Sequence, residues 1–202
     1  MARFLSTRRS FLSSTLLLPA MFSSCRSMLE KPHGMETKLN LESHWARREE
    51  WTGLEMVKGV VNMSDHFLMV ERNDPMHWDF PGGIVRHNIH GPKTEENTDL
   101  VHAVTEYVHS QGMVQLEASQ AKLIAYGYGI DVVNDRTYLV HWLTVNVPSK
   151  LPPTPHANLR NILDTRWVSM EDPYLKRCLE ARIEEFKQAK EGGTVLLQPC
   201  RI

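Results

Sequence analysis

The sequence lacks any unbroken apolar run near the roughly 18 residues that a bilayer-crossing helix needs, so no membrane span is expected. It is poor in cysteine. Cys25, Cys178 and Cys200 stand far apart, with no Cys-x-x-Cys pair and no zinc-ligand spacing. Read as free thiols, they fit a reducing compartment. There is no internal repeat and no low-complexity tract, and nothing in the composition suggests disorder or collagen. The chain is long enough for one domain with its own core plus a leader or tail.

Acid is missing from one stretch. Residues 1–27 hold Arg3, Arg8, Arg9 and Arg26 and no carboxylate before Glu30, with serines recurring between apolar residues. This is the composition of a mitochondrial transit peptide, a cationic amphipathic segment drawn toward a negative compartment, and it predicts the mitochondrial matrix. A rival reading takes Arg8-Arg9-Ser10-Phe11-Leu12, the apolar residues 16–21 and Cys25 as a twin-arginine leader ending in a lipoprotein cysteine. The whole chain has 23 basic and 24 acidic residues; without the leader's four arginines the balance is 19 against 24, a net charge of −5. A domain of that sign is no bulk phosphate binder, so RNA would be met through a local patch or beside a basic partner.

After the leader, residues 28–52 read as a polar lead-in, with a short helix over 44–51 docking through Trp45 and Trp51. Residues 53–63 and 66–72 read as strands joined by a turn at Asn62-Met63-Ser64-Asp65. Residues 75–83 read as a loop whose tight part is Pro81-Gly82-Gly83. A polar loop, 84–97, precedes the clearest helix, 99–111, capped by Asn97 or Thr98 and ended by Gly112. Leu100, Val104, Tyr107 and Gln111 share one stripe of it, and His102, Glu106, His109 and Met113 share another. Two strands over 122–133 and 136–147 meet at Asn134-Asp135. A proline-rich loop over 148–155, a short strand over 166–169 and an amphipathic helix over 173–190 follow. Leu175, Leu179, Ile183 and Phe186 form its apolar side. Gly192-Gly193 ends it, and the tail, 192–202, is uncharged apart from Arg201 and suited to docking on a partner. The domain proper is expected over 53–191.

The strand, Trp78-Asp79-Phe80-Pro81-Gly82-Gly83, the loop, the helix and its glycine resemble the layout of a Nudix domain, roughly over residues 53–170. The family pattern is G-x5-E-x7-R-E-U-x-E-E-x-G-U, with U a bulky apolar residue. Ala103-Val104-Thr105-Glu106-Tyr107 through Gly112-Met113 match its end, and Asp164-Thr165-Arg166-Trp167-Val168-Ser169 its closing strand. The resemblance implies an α/β fold, an α/β/α sandwich with a mixed sheet. It also implies enzymes that cleave a diphosphate linked to another moiety, using magnesium or manganese held by three helix carboxylates at i, i+3 and i+4.

Here those three positions are Glu106, His109 and Ser110, the motif arginine is Thr105, and the earlier glutamate aligns with Asn97. The loop from Gly83 to that position is about eight residues longer than the pattern. Binding candidates are thus Gly82, Gly83, Glu106 and His109, with Gly82 and Gly83 serving chiefly to make the turn. No cofactor is expected unless the chain is active. Metal-bound hydrolysis would then need Glu106 with Glu95 and Glu96 swung in from the loop. His87 and His90, with Arg86 and Lys93, are a candidate phosphate patch. The loss of ligands predicts a non-catalytic subunit of a mitochondrial assembly, held there by protein partners. The large subunit of the mitochondrial ribosome, which includes a protein with a degenerate Nudix-like domain, or an RNA-processing complex are such assemblies. The alternatives are a divergent diphosphohydrolase acting on a nucleotide or RNA 5′ end, and a small-ligand sensor that keeps the pocket without the chemistry.

Overall fold

A computed structural model describes residues 39–73, 76–112, 114–147, 161–190 and 192–201. The leader and the proline-rich loop lie outside these residues. Eight strands form one sheet: β1 (Leu54–Met63), β2 (His66–Asn73), β3 (Met76–Asp79), β4 (Gly82–Ile84), β5 (Ala121–Asp131), β6 (Arg136–Asn146), β7 (Ile162–Ser169) and β8 (Thr194–Leu197). The main path runs β3-β2-β1-β6-β5-β8, with β4 beside β1 and β7 beside β2. The β1–β6 and β5–β8 pairs are parallel and the others antiparallel, so the sheet is mixed. Four α-helices and a 3-10 turn, Ala118–Gln120, complete the elements of the described residues; the helices are α1 (Leu41–Glu50), α2 (His87–His90), α3 (Thr98–Gly112) and α4 (Lys176–Gln188).

Sequence periodicity explains most of this. β1 is buried at five consecutive positions, 57 to 61, because both faces of the sheet are covered. On one face, Leu100, Ala103, Val104 and Val108 of α3 pack against Val57, Val61, Leu143 and Val145. Burying that stripe is the main force that holds α3 down. The hairpin between β1 and β2 turns at Ser64, which takes φ 55°, and the one between β5 and β6 at Asp135, with φ 49°.

Several expectations change. α1 docks through buried His44 and Arg48, while Trp45 and Trp51 are only half-covered. The loop over 75–83 contains strand β3, and Gly82 and Gly83 belong to a strand rather than a turn. They pair with Lys58 and Val57, and a Cβ on Gly82 would fall on the Val57 carbonyl. The cap of α3 comes from neither predicted residue's side chain: the Thr94 hydroxyl accepts from the Thr98 amide at 3.0 Å. The strand over 166–169 begins at Ile162. The tail turns back on its own sheet: β8 pairs with β5, the Trp78 amide donates to the Cys200 carbonyl at 3.0 Å, and Cys200 forms a disulfide with Cys178 of α4. Two of the three cysteines are therefore not free thiols, and the inference of a reducing compartment loses its ground.

Candidate functional site

α3 carries the candidate site on its solvent side. His102, Glu106 and His109 are exposed along one face, because the opposite stripe is taken up by the core. Glu106 is 61% exposed at its side chain and meets His90, whose ring is nearly enclosed, with Nδ1 of His90 3.1 Å from Oε2. Ser110 donates to the Tyr107 carbonyl at 3.3 Å, and the Thr105 hydroxyl donates back to the Val101 carbonyl at 2.7 Å. Each hydroxyl is thus spent on the helix backbone.

The remaining motif positions have structural work. Asn97, buried at φ 57°, makes the bend into α3; its amide donates to the Glu95 carbonyl at 3.3 Å and its oxygen accepts from Arg48 at 3.4 Å. Glu95 and Glu96 are exposed at that bend. Glu106 lies eight residues into α3 from Thr98, about 12 Å further along at 1.5 Å per residue. Gly82 is held on every side. Its amide donates to Oε1 of Gln111 at 2.9 Å, and its carbonyl accepts from Nε2 of Gln111 at 3.0 Å and from Arg72 at 2.9 Å. The Tyr107 hydroxyl donates to the Ile84 carbonyl at 2.8 Å. Gly82, Gly83, Glu106 and His109 are therefore not one constellation: the glycines sit in the sheet and the other two on the open face of α3.

Magnesium or manganese asks for several hard oxygen donors at once. The α3 face offers a single carboxylate, already paired with an imidazole, beside the two imidazoles of His102 and His109 and a hydroxyl. Among the described residues no three His, Cys, Asp or Glu side chains stand close enough to share an ion. These donors do not fit the hard cation of the family. The inserted loop does not form a phosphate patch either. Lys93 pairs with Glu55 at 3.0 Å and donates to the Arg48 carbonyl at 2.8 Å, His87 stands 3.4 Å from Glu55 and 3.5 Å from Asp99, and His90 is on Glu106. Of the four predicted cations only Arg86 is left exposed.

Two buried ionic clusters flank β1, and neither was foreseen from sequence. In the first, Arg48 bridges Glu55 (Nε to Oε2, 2.8 Å) and Asp99 (Nη1 to Oδ1, 3.0 Å, with a second contact from Nη2). His141 Nε2 is 3.1 Å from the same Glu55 oxygen, and His44 Nε2 is 3.1 Å from His141 Nδ1. A carboxylate only accepts, so His141 donates from Nε2 and receives from His44. Burial first, then His141 and Arg48, push His44 down to about 3. Burial also lowers His141, against the pull of Glu55. Burial would raise Glu55, but His141 and Arg48 hold it well below the usual carboxylate range.

The second cluster lines a cleft of about 240 Å³ bounded by β1, β3, β4 and the residues after β8. Lys58 Nζ is 2.9 Å from Asp79 and 3.3 Å from Glu185, and Arg182 is 2.8 Å from Glu185 and donates to the Gln198 carbonyl at 2.6 Å. Burial raises the Asp79 carboxyl, but Lys58, Arg182 and Arg72 more than reverse that, whereas burial prevails at Glu185 and raises it. The one signal in the sequence was Lys58 itself, a lone cation inside an apolar strand.

No sequence-family model and no curated protein matches the chain. Solved structures do. The NUDIX domain of Shewanella oneidensis NrtR, complexed with ADP ribose, aligns over 73% of this chain and 96% of its own, at 13% identity and a TM-score of 0.51. A MutT NUDIX hydrolase from Burkholderia pseudomallei aligns over 59% of this chain and 84% of its own, at 17% identity and 0.46. A C. elegans Ap4A hydrolase aligns over 66% and 96%, at 14% and 0.41. At such identities the likeness establishes the fold: the chain has a Nudix-like α/β/α sandwich with a mixed sheet.

Proposed function

We propose that this Nudix-like fold serves as a non-catalytic binding or scaffolding domain. One observation carries the reading: Glu106 is alone on the α3 face as an acid and is met there by His90. Diphosphate cleavage by magnesium or manganese needs the ion's charge fixed beside the phosphate oxygens, and a single paired carboxylate is a poor anchor for it. The alternative, a divergent diphosphohydrolase, is tested directly. Purified protein titrated with magnesium and manganese against a panel of nucleoside diphosphate derivatives should show no turnover above background. Enzyme-like cleavage that disappears in Glu106→Gln would overturn the proposal.

The partners we propose are protein surfaces of a larger assembly, with any RNA met through neighbours because of the net negative charge. A mitochondrial home, in the large ribosomal subunit or an RNA-processing complex, rests on the Arg- and Ser-rich leader. The Cys178–Cys200 bridge favours a second reading, in which the twin-arginine-like leader carries the chain to an oxidising compartment. Alkylation of thiols in intact cells, followed by fractionation, separates the two. Reduced protein co-sedimenting with ribosomes supports the matrix assembly, and oxidised protein in an exported or membrane fraction supports the other.

A further inference from the structure

We propose that the Cys178–Cys200 bridge is a redox latch. A dithiol reductant opens it, the C-terminal strap over residues 198–201 leaves β3, and the charged cleft beneath becomes accessible. The proposal rests on the path of the tail and not on the non-catalytic reading above. β8 pairs with β5 at one end of the strand order, and three residues later Cys200 pairs with Trp78 of β3 at the other end. The strap therefore bridges the two edges of the sheet. Leu197, Gln198 and Pro199 line the cleft of about 240 Å³ that also holds Lys58, Asp79 and Arg182. Beyond β8 the noncovalent hold is light. Gln198 and Pro199 belong to no strand. Arg182 donates to the Gln198 carbonyl at 2.6 Å, and the Trp78 amide donates to the Cys200 carbonyl at 3.0 Å. Pairings of this kind at a chain end open locally at small cost. The covalent tie to α4, 22 residues back, does not open with them. The closed state is also incompletely paired, since Nε of Arg182 is buried with no hydrogen-bond partner among the described residues. Only one side of the bridge is approachable. Cys178 is 1% exposed, whereas Cys200 is half-covered. The incoming thiolate thus attacks Sγ of Cys200, and Cys178 leaves as a thiolate. The reductant's second thiol attacks the mixed disulfide, Cys200 leaves, and the reductant departs as a disulfide. Its two electrons and two protons end on the two cysteines.

The full chain with Cys25→Ser, purified without reductant, should contain one disulfide by mass. Dithiothreitol should then speed hydrogen exchange of the Trp78 amide at least ten-fold. It should also raise acetylation of Lys58, 2% exposed in the closed state, at least ten-fold under an amine-reactive ester, while exposed Lys122 reacts as before. Reoxidation should reverse both changes, and Cys200→Ser should show both without reductant. The amides of Val104 and Val108, in the core of α3, are followed in the same samples, so that opening of the strap is told apart from unfolding. Slow exchange kept there together with the two rises supports the latch. Two free thiols in the protein purified without reductant overturn it. So does unchanged Trp78 exchange and Lys58 acetylation on reduction, or an equal rise at Val104 and Val108, which would make the bond a staple of the whole fold. None of these outcomes reports on diphosphate cleavage, so the non-catalytic reading stands or falls separately.

Discussion

The two halves of α3 treat an acid in opposite ways. At its first turn Asp99 is buried and held by both Arg48 nitrogens; two turns later Glu106 is 61% exposed with a single imidazole for company. A buried carboxylate in a low-dielectric setting must be paired, and the pairing then fixes whatever is attached to it. Arg48 thereby ties α1, β1 and α3 into one unit through Glu55 and Asp99. An exposed carboxylate is bound by no such need and remains open to a ligand. Charge in this helix has been committed to architecture at one end and left available at the other.

The sharpest way to break that comparison is to remove Arg48. Arg48→Ala strands Glu55 and Asp99 in the interior, and breaking a buried ion pair from one side typically costs about 3–5 kcal/mol. Urea denaturation should show a loss of that order with an unchanged slope. A loss under 1 kcal/mol would mean that water reaches the cluster and that the two ends of α3 are not so different.

Acid probes the same cluster more gently. His44 is held down to about 3 in the fold and returns to about 6.5 when unfolded. Between those values the unfolded chain binds the extra proton, so stability is full above pH 6.5 and falls as pH drops toward 3. His141 is shifted in the same direction and widens the loss. One such histidine corresponds to about 2 kcal/mol between pH 7 and pH 5. Thermal unfolding across that range should record the decline, and His44→Gln should flatten it.

These clusters also mark where the sequence stops being legible. The hairpin turns at 62–65 and 134–135, the helix ended by Gly112 and the apolar stripe facing β1 follow from local periodicity and turn chemistry, which act within a few residues. The partners of His44, Arg48, Lys58, Arg182 and Glu185 were unreadable because burying a charge is decided by groups distant in the chain: 51 residues separate Arg48 from Asp99, and 127 separate Lys58 from Glu185. Trp45 and Trp51 looked like the anchors of α1 because an isolated helix reveals hydrophobicity and not its paired charges. The tail was missed for a similar reason. β8 finds its partner strand 66 residues back, Thr194 against Tyr128, and Cys200 finds Cys178 across the turn after α4. At the candidate site the sequence showed which ligands were missing but not that the inserted loop returns His90 to the one acid that stayed.

The smallest expected effect sharpens the comparison from the other side. Glu106 makes one contact, to His90, and more than half of its side chain is in water. Pairs of this kind are worth at most about 1 kcal/mol because solvent screens them. Glu106→Ala should therefore lower the unfolding free energy measured in urea by about 0.5 kcal/mol or less, a small fraction of the Arg48→Ala effect on the same helix. The His90 ring that it leaves behind is nearly enclosed, so part of any loss reports an unpaired imidazole and not the carboxylate itself. The double variant His90→Phe, Glu106→Ala separates the two, since an apolar ring needs no partner there. If Glu106→Ala alone costs several kcal/mol and the double variant does not restore it, the exposed face is holding the fold together, and Glu106 is then as structural as Asp99.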